Sequence, residues 1–177
     1  MSNPAAAGIE ERWTRLVIEG ESFLDNWTRF TDGEDFSRRF ASPASDDRDL
    51  VALTERYYER TANLIIELTE ESLKLFGVQE GDVARLRDEG EGTRTIIKAA
   101  ERLKLISDSV ATELQEARLS RNKLGHNYTH VAGTEIWTGM ESLNKILDAW
   151  TKTYVSLCAA KGVRLDNPEF GDRGVIS

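Results

Sequence analysis

Apolar residues recur at threes and fours along four stretches of the chain, and this spacing predicts four amphipathic helices. The first stripe is Ile9, Trp13, Leu16, Val17, Phe23, Leu24, Trp27 and Phe30, whose large rings predict core packing. Gly20 inside it predicts a close helix crossing or a bend. The second stripe, Leu50, Leu53, Tyr57, Leu64, Ile65, Leu68, Leu75 and Phe76, predicts a helix from Asp49 to Phe76, with Gly77 as its stop. The third, Ile96, Ala99, Leu103, Ile106, Val110, Leu114 and Ala117, reads as one continuous helix capped by Thr93. The fourth, Ile136, Met140, Leu143, Leu147, Trp150, Tyr154 and Leu157, reads as a helix capped by Thr134 and ended before Gly162.

The intervening segments are polar. Residues 31–47 carry Gly, Pro and Ser without a sustained period and predict a loop, with a short turn at Phe36 and Phe40. Asp46 or Asp47 is placed to cap the second helix. Residues 78–93 predict a connection with one short turn around Val83 and Leu86. No strand and no internal repeat is predicted. Stripes of this kind are buried by packing on one another, so the expected fold is all-α, an antiparallel four-helix bundle with additional short helical turns. Residues 1–8 are expected to be a disordered lead, 9–161 the bundle and 162–177 a flexible C-terminal tail.

Composition narrows the classes. In 177 residues, 40% are hydrophobic, 31% are charged and only 3 are Pro, which suits a helical domain with one core. No apolar run approaches the roughly 18 residues of a membrane span, and Met1 to Gly8 lacks the basic and apolar regions of a secretory signal. Cys158 is the single cysteine, so no disulfide can form within the chain and a reducing cytoplasm is the expected setting. A zinc site from one Cys and two His would need carboxylates; neither a metal nor another cofactor is expected.

The net charge is −8, unfavourable for approach to a polyanion, but it is unevenly spread. Between Arg94 and Lys123 seven basic residues face four acidic ones, and the rest of the chain carries the acidic excess. That segment leads into Arg121-Asn122-Lys123-Leu124-Gly125-His126-Asn127-Tyr128. The third stripe projects next onto position 121, which puts Arg121 on or beside the apolar seam, where a guanidinium needs a partner, a phosphate or a subunit interface. His126 follows five residues later, about 140° around a regular helix, and Gly125 between them disfavours regular helix. A fixed cation beside a group that titrates near neutrality is a minimal apparatus for phosphodiester chemistry.

Arg, four residues, His, one residue, Tyr resembles the signature of the HepT-like toxins in the HEPN superfamily of small helical nucleases, and the polar Asn122 after the arginine is similar too. The resemblance covers roughly residues 48–160. It implies a metal-independent endoribonuclease, a toxin or antiviral effector, with Arg121 and His126 catalytic and a composite site formed in a homodimer. It further implies an RNA substrate and a nucleotidyltransferase antitoxin that modifies Tyr128 with AMP. Asn122 either caps a turn or orients the phosphate or imidazole, and Lys123 supplies supporting charge. Each motif residue also has a plainer role: a hydrogen-bonded structural histidine for His126, a core-edge ring for Tyr128. His130, four residues after His126, invites a two-histidine metal site, but no acidic pair lies at suitable offsets. The alternative functional class is a non-catalytic HEPN-type scaffold or a nucleotide-binding regulatory module.

Overall fold

The computed structural model describes residues 4–31, 43, 47–88, 92–125, 133–168 and 170. Six helices and no strand occur among them: α1 (Pro4–Thr31), α2 (Arg48–Leu75), α3 (Glu80–Asp88), α4 (Thr93–Arg102), α5 (Asp108–Gly125) and α6 (Gly133–Ala160). All contribute to one apolar core that runs from Ile9 to Phe170. The fold is an all-α helical bundle.

Partner residues give the directions of the long helices. Arg12 pairs with Glu67 and Glu19 with Arg60, so α1 and α2 are antiparallel. Trp13 stacks on Trp150 and Tyr154 while Trp27 stacks on Trp137, so α1 and α6 also run in opposite senses. These rings fill the space between α1 and α6. Glu113 meets Lys145 and Lys123 meets Glu135, which makes α5 and α6 antiparallel. The short helix α3 is tied back to α2 by Arg87, whose guanidinium binds the buried carboxylate of Glu70.

The third stripe is not one helix. It breaks at Leu103–Ser107 into α4 and α5. Lys104 takes φ 57°, its N–H donates to the Glu101 carbonyl, and the Leu105 N–H donates to the Ala100 carbonyl. This paired pattern closes a helix with a left-handed residue, a place glycine usually fills. Gly77 and Gly162 fill it at the ends of α2 and α6. Ser107 then starts α5, its hydroxyl accepting from the Val110 N–H at 3.3 Å. Leu103, placed in the core by the stripe, caps α4 and is 50% exposed.

Other expectations shift in smaller ways. The lead is helical from Pro4, a residue suited to a first helical turn. Thr93 lies inside α4 with Gly92 at the cap position, and Asp47 stands at the cap position of α2 but its side chain does not make the capping hydrogen bond. Thr134 is the second residue of α6. The turn at Val83 and Leu86 is α3. Phe36, Phe40 and Asp46 lie outside the described residues.

Within the C-terminal segment, described residues pack against the bundle. Val163 and Phe170 are buried, and the Trp13 indole donates to the Asp166 carbonyl at 3.0 Å. Gly20 serves this contact: a Cβ there would meet Phe170 Cε1 at 3.1 Å and Leu147 Cδ2 at 3.5 Å. The missing side chain leaves room for a ring from the tail and for the close approach of Leu147 on α6.

Candidate functional site

Arg121, Asn122 and Lys123 occupy the last turns of α5, which ends at Gly125. Gly125 is the last described residue of that helix. His126, Tyr128 and His130 lie outside the described residues, between the end of α5 and the start of α6. Those two helix ends are held together on both sides of the motif. Lys123 Nζ lies 2.9 Å from a Glu135 carboxylate oxygen, and the Ser120 hydroxyl donates to the Glu135 carbonyl at 2.9 Å. The charge expected of Lys123 is thus partly neutralised by the first turn of α6.

Arg121 is half-buried, as its position beside the third stripe predicts. Its Nε is buried and has no hydrogen-bond partner among the described residues. A buried donor on a permanent cation is an unfavourable arrangement unless an acceptor approaches it. One turn earlier on α5, Arg118 is buried and its Nε donates to Gln115 Oε1 at 3.1 Å, while Gln115 donates to the Arg94 carbonyl of α4. These contacts tie α5 to α4 at the start of the basic segment.

Tyr58, on α2, reaches this turn. It is fully buried, and its hydroxyl donates to the Ala117 carbonyl at 2.5 Å. In helical register that carbonyl is the acceptor of the Arg121 amide. Burial pushes the Tyr58 phenol well above its ordinary range; Ser120 and the nearby Arg121 act in the opposite direction. From α6, Gly139 faces the same place: a Cβ built on it would overlap both Ser120 and the Tyr58 hydroxyl. Three helices therefore meet at Tyr58, Ser120 and Gly139, directly under the turn that carries Arg121.

The hydrophobic pattern did not single out these three residues. It placed Tyr57 in the core, whereas Tyr57 is half-buried and Tyr58 is buried. Gly139 had one available signal, an isolated glycine within a regular helical stripe, which often marks a close approach. Among the described residues, no group of three His, Cys, Asp or Glu side chains converges as a metal site would require, and no helix is long and apolar enough to cross a membrane. In comparisons with known proteins, no family model, no curated protein and no solved structure matches the chain.

Proposed function

We propose that the chain is a metal-independent endoribonuclease of the HEPN type, working as a homodimer in which Arg121 and His126 of both subunits share one cleft. The observation that carries this reading is the Arg121 guanidinium, half-buried near the end of α5 with a buried Nε that has no hydrogen-bond partner among the described residues. It stands immediately before the segment that holds His126. The all-helical bundle, with this segment joining its two last long helices, supports the same reading.

The chemistry requires three things: a base for the 2′-hydroxyl, an acid for the departing 5′-oxygen, and positive charge for the phosphorane. The 2′-oxygen attacks phosphorus, the bond to the 5′-oxygen breaks, and the products are a 2′,3′-cyclic phosphate and a 5′-hydroxyl. One imidazole cannot serve both proton transfers from one position. Two copies of His126, one on each side of the scissile phosphate, divide them, while Arg121 holds the non-bridging oxygens. DNA lacks the 2′-hydroxyl and is not cut by this route. Asn122 orients the phosphate or the imidazole, and Lys123 adds charge at the rim, moderated by Glu135.

Regulation follows from Tyr128. AMP attached to its phenol places a bulky anion two residues from His126. A unit charge about 6 Å away at an effective dielectric near 20 contributes on the order of 2–3 kcal/mol before screening. That repels RNA and occupies Arg121, so a neighbouring nucleotidyltransferase silences the enzyme.

The test is growth on expression in bacteria, with cleavage of total RNA measured in parallel. The wild-type chain slows growth, and folded Arg121→Ala or His126→Ala relieves it with a loss of cleavage of about 100-fold or more. Equal toxicity of the folded variants, or a protein that stays monomeric at micromolar concentration, overturns the composite site.

A further inference from the structure

Among the described residues, contacts beside the turn that carries Arg121 come from two neighbouring long helices and from α5 itself. From α2, the Tyr58 hydroxyl donates to Ala117 O, the carbonyl one helical turn before Arg121. From α6, Gly139 lies against both Tyr58 and Ser120 so tightly that no Cβ is accommodated. Within α5, the Ser120 hydroxyl donates across to the Glu135 carbonyl of α6. The backbone of α5 is thereby gripped one residue before Arg121 and one turn before it.

Two features are more specific than ordinary core packing. A phenol ring needs no hydroxyl to fill this space, and a hydroxyl buried without exposure is retained here to bond the α5 backbone. Also, the carbonyl it bonds is shared with the rung that fixes the Arg121 amide, so the angle at which the Arg121 side chain leaves the helix depends on that rung. Arg121 Nε has no partner of its own among the described residues, so no side-chain hydrogen bond to Nε sets its direction. Its aim is set from behind, through its backbone.

We propose that Tyr58 is a positioning residue for Arg121: its buried hydroxyl, bonded to Ala117 O beside Ser120, fixes the last turns of α5 and thereby aims the guanidinium at the substrate phosphate. This deepens the ribonuclease reading and rests on it for the identity of the substrate. Tyr58 touches no substrate. It acts through Arg121.

The experiment is Tyr58→Phe, which keeps the ring and removes the hydroxyl, read by two independent measurements. The first is the Nε–Hε resonance of Arg121 in nitrogen-15 NMR spectra of the full chain, assigned with Arg121→Lys. The expected result is a shifted or broadened Arg121 resonance in Tyr58→Phe, with that of Arg60, ion-paired to Glu19 on another face, unmoved. The second is RNA cleavage, where kcat falls about tenfold and KM changes less than twofold, because a misaimed cation affects the transition state more than encounter. Should Tyr58→Phe fail to fold, Ser120→Ala carries the same test. An Arg121 resonance identical in the variant, or an unchanged kcat, overturns the proposal. A wild-type chain that cuts no RNA while its Arg121 resonance still moves on Tyr58→Phe sustains the positioning role and removes the ribonuclease reading.

Discussion

Gly139 on α6 lies so close to Ser120 on α5 that a single methyl group on the glycine would overlap the serine and the Tyr58 hydroxyl behind it. A close crossing of the bundle's last two long helices thus sits beside the turn that carries Arg121. Gly139→Ala is expected to destabilise the fold by about 1–3 kcal/mol through overpacking, despite the better helix propensity of alanine. Gly81→Ala is the matched control: Gly81 is helical, exposed and has nothing within 4 Å of a built Cβ, so alanine there stabilises by up to about 1 kcal/mol. Urea unfolding of the two variants should give shifts of opposite sign.

Lys104 holds a left-handed conformation, φ 57°, where α4 ends. A side chain in that region is disfavoured by roughly 1–2 kcal/mol, and its ion pair with Asp108 is highly exposed and contributes little. Lys104→Gly is therefore expected to raise the unfolding midpoint, by an amount corresponding to about 1 kcal/mol or less once glycine's greater unfolded-state entropy is counted. A lower midpoint would show that the turn depends on the lysine.

Cys158 is fully buried, and burial pushes its thiol from the ordinary 9.0 up to about 11, while a contact with Tyr154 acts the other way. The Tyr154 phenol is also pushed up, first by burial and then by Cys158. In both cases the folded state holds the proton more tightly than the unfolded state. The Cys158 contribution is full below about pH 9 and is lost as pH rises towards 11, while that of Tyr154 is full up to its ordinary 10.0 and is lost only above it. Unfolding free energy should be flat through neutrality and decline above pH 9. At pH 8 a thiol reagent should modify Cys158 only as fast as the chain opens. Reaction at the rate of a free thiol would contradict the burial.

The heptad-like stripes made the helical bundle legible, because burying Trp13 against Trp150 and Tyr154, with Trp27 in the same core, leaves few other arrangements. They failed where backbone geometry overrode periodicity. The spacing from Ile96 to Ala117 continues at threes and fours through a break that no glycine announces, since Lys104 fills the left-handed position. In α2 the face turns by one residue: Thr54, Tyr58 and Thr61 are buried while Leu53 is 40% exposed. Thr54 hides its polarity by donating to the Leu50 carbonyl of its own helix, so a residue that reads as polar belongs to the core. Arg121 was legible because the stripe pointed at it. Tyr58, Ser120 and Gly139 were not, because their contacts cross between helices far apart in sequence.

The central claim, that Arg121 and His126 perform transesterification on RNA, is tested most directly by the ends of the products. The full-length chain is incubated with a defined single-stranded RNA and the matching DNA in excess EDTA, and the fragments are read by mass spectrometry. The account predicts RNA fragments ending in a 2′,3′-cyclic phosphate and beginning with a 5′-hydroxyl, intact DNA, and no fragments from His126→Ala. Fragments ending in a 3′-hydroxyl, equal cutting of DNA, or cleavage retained by His126→Ala would contradict it.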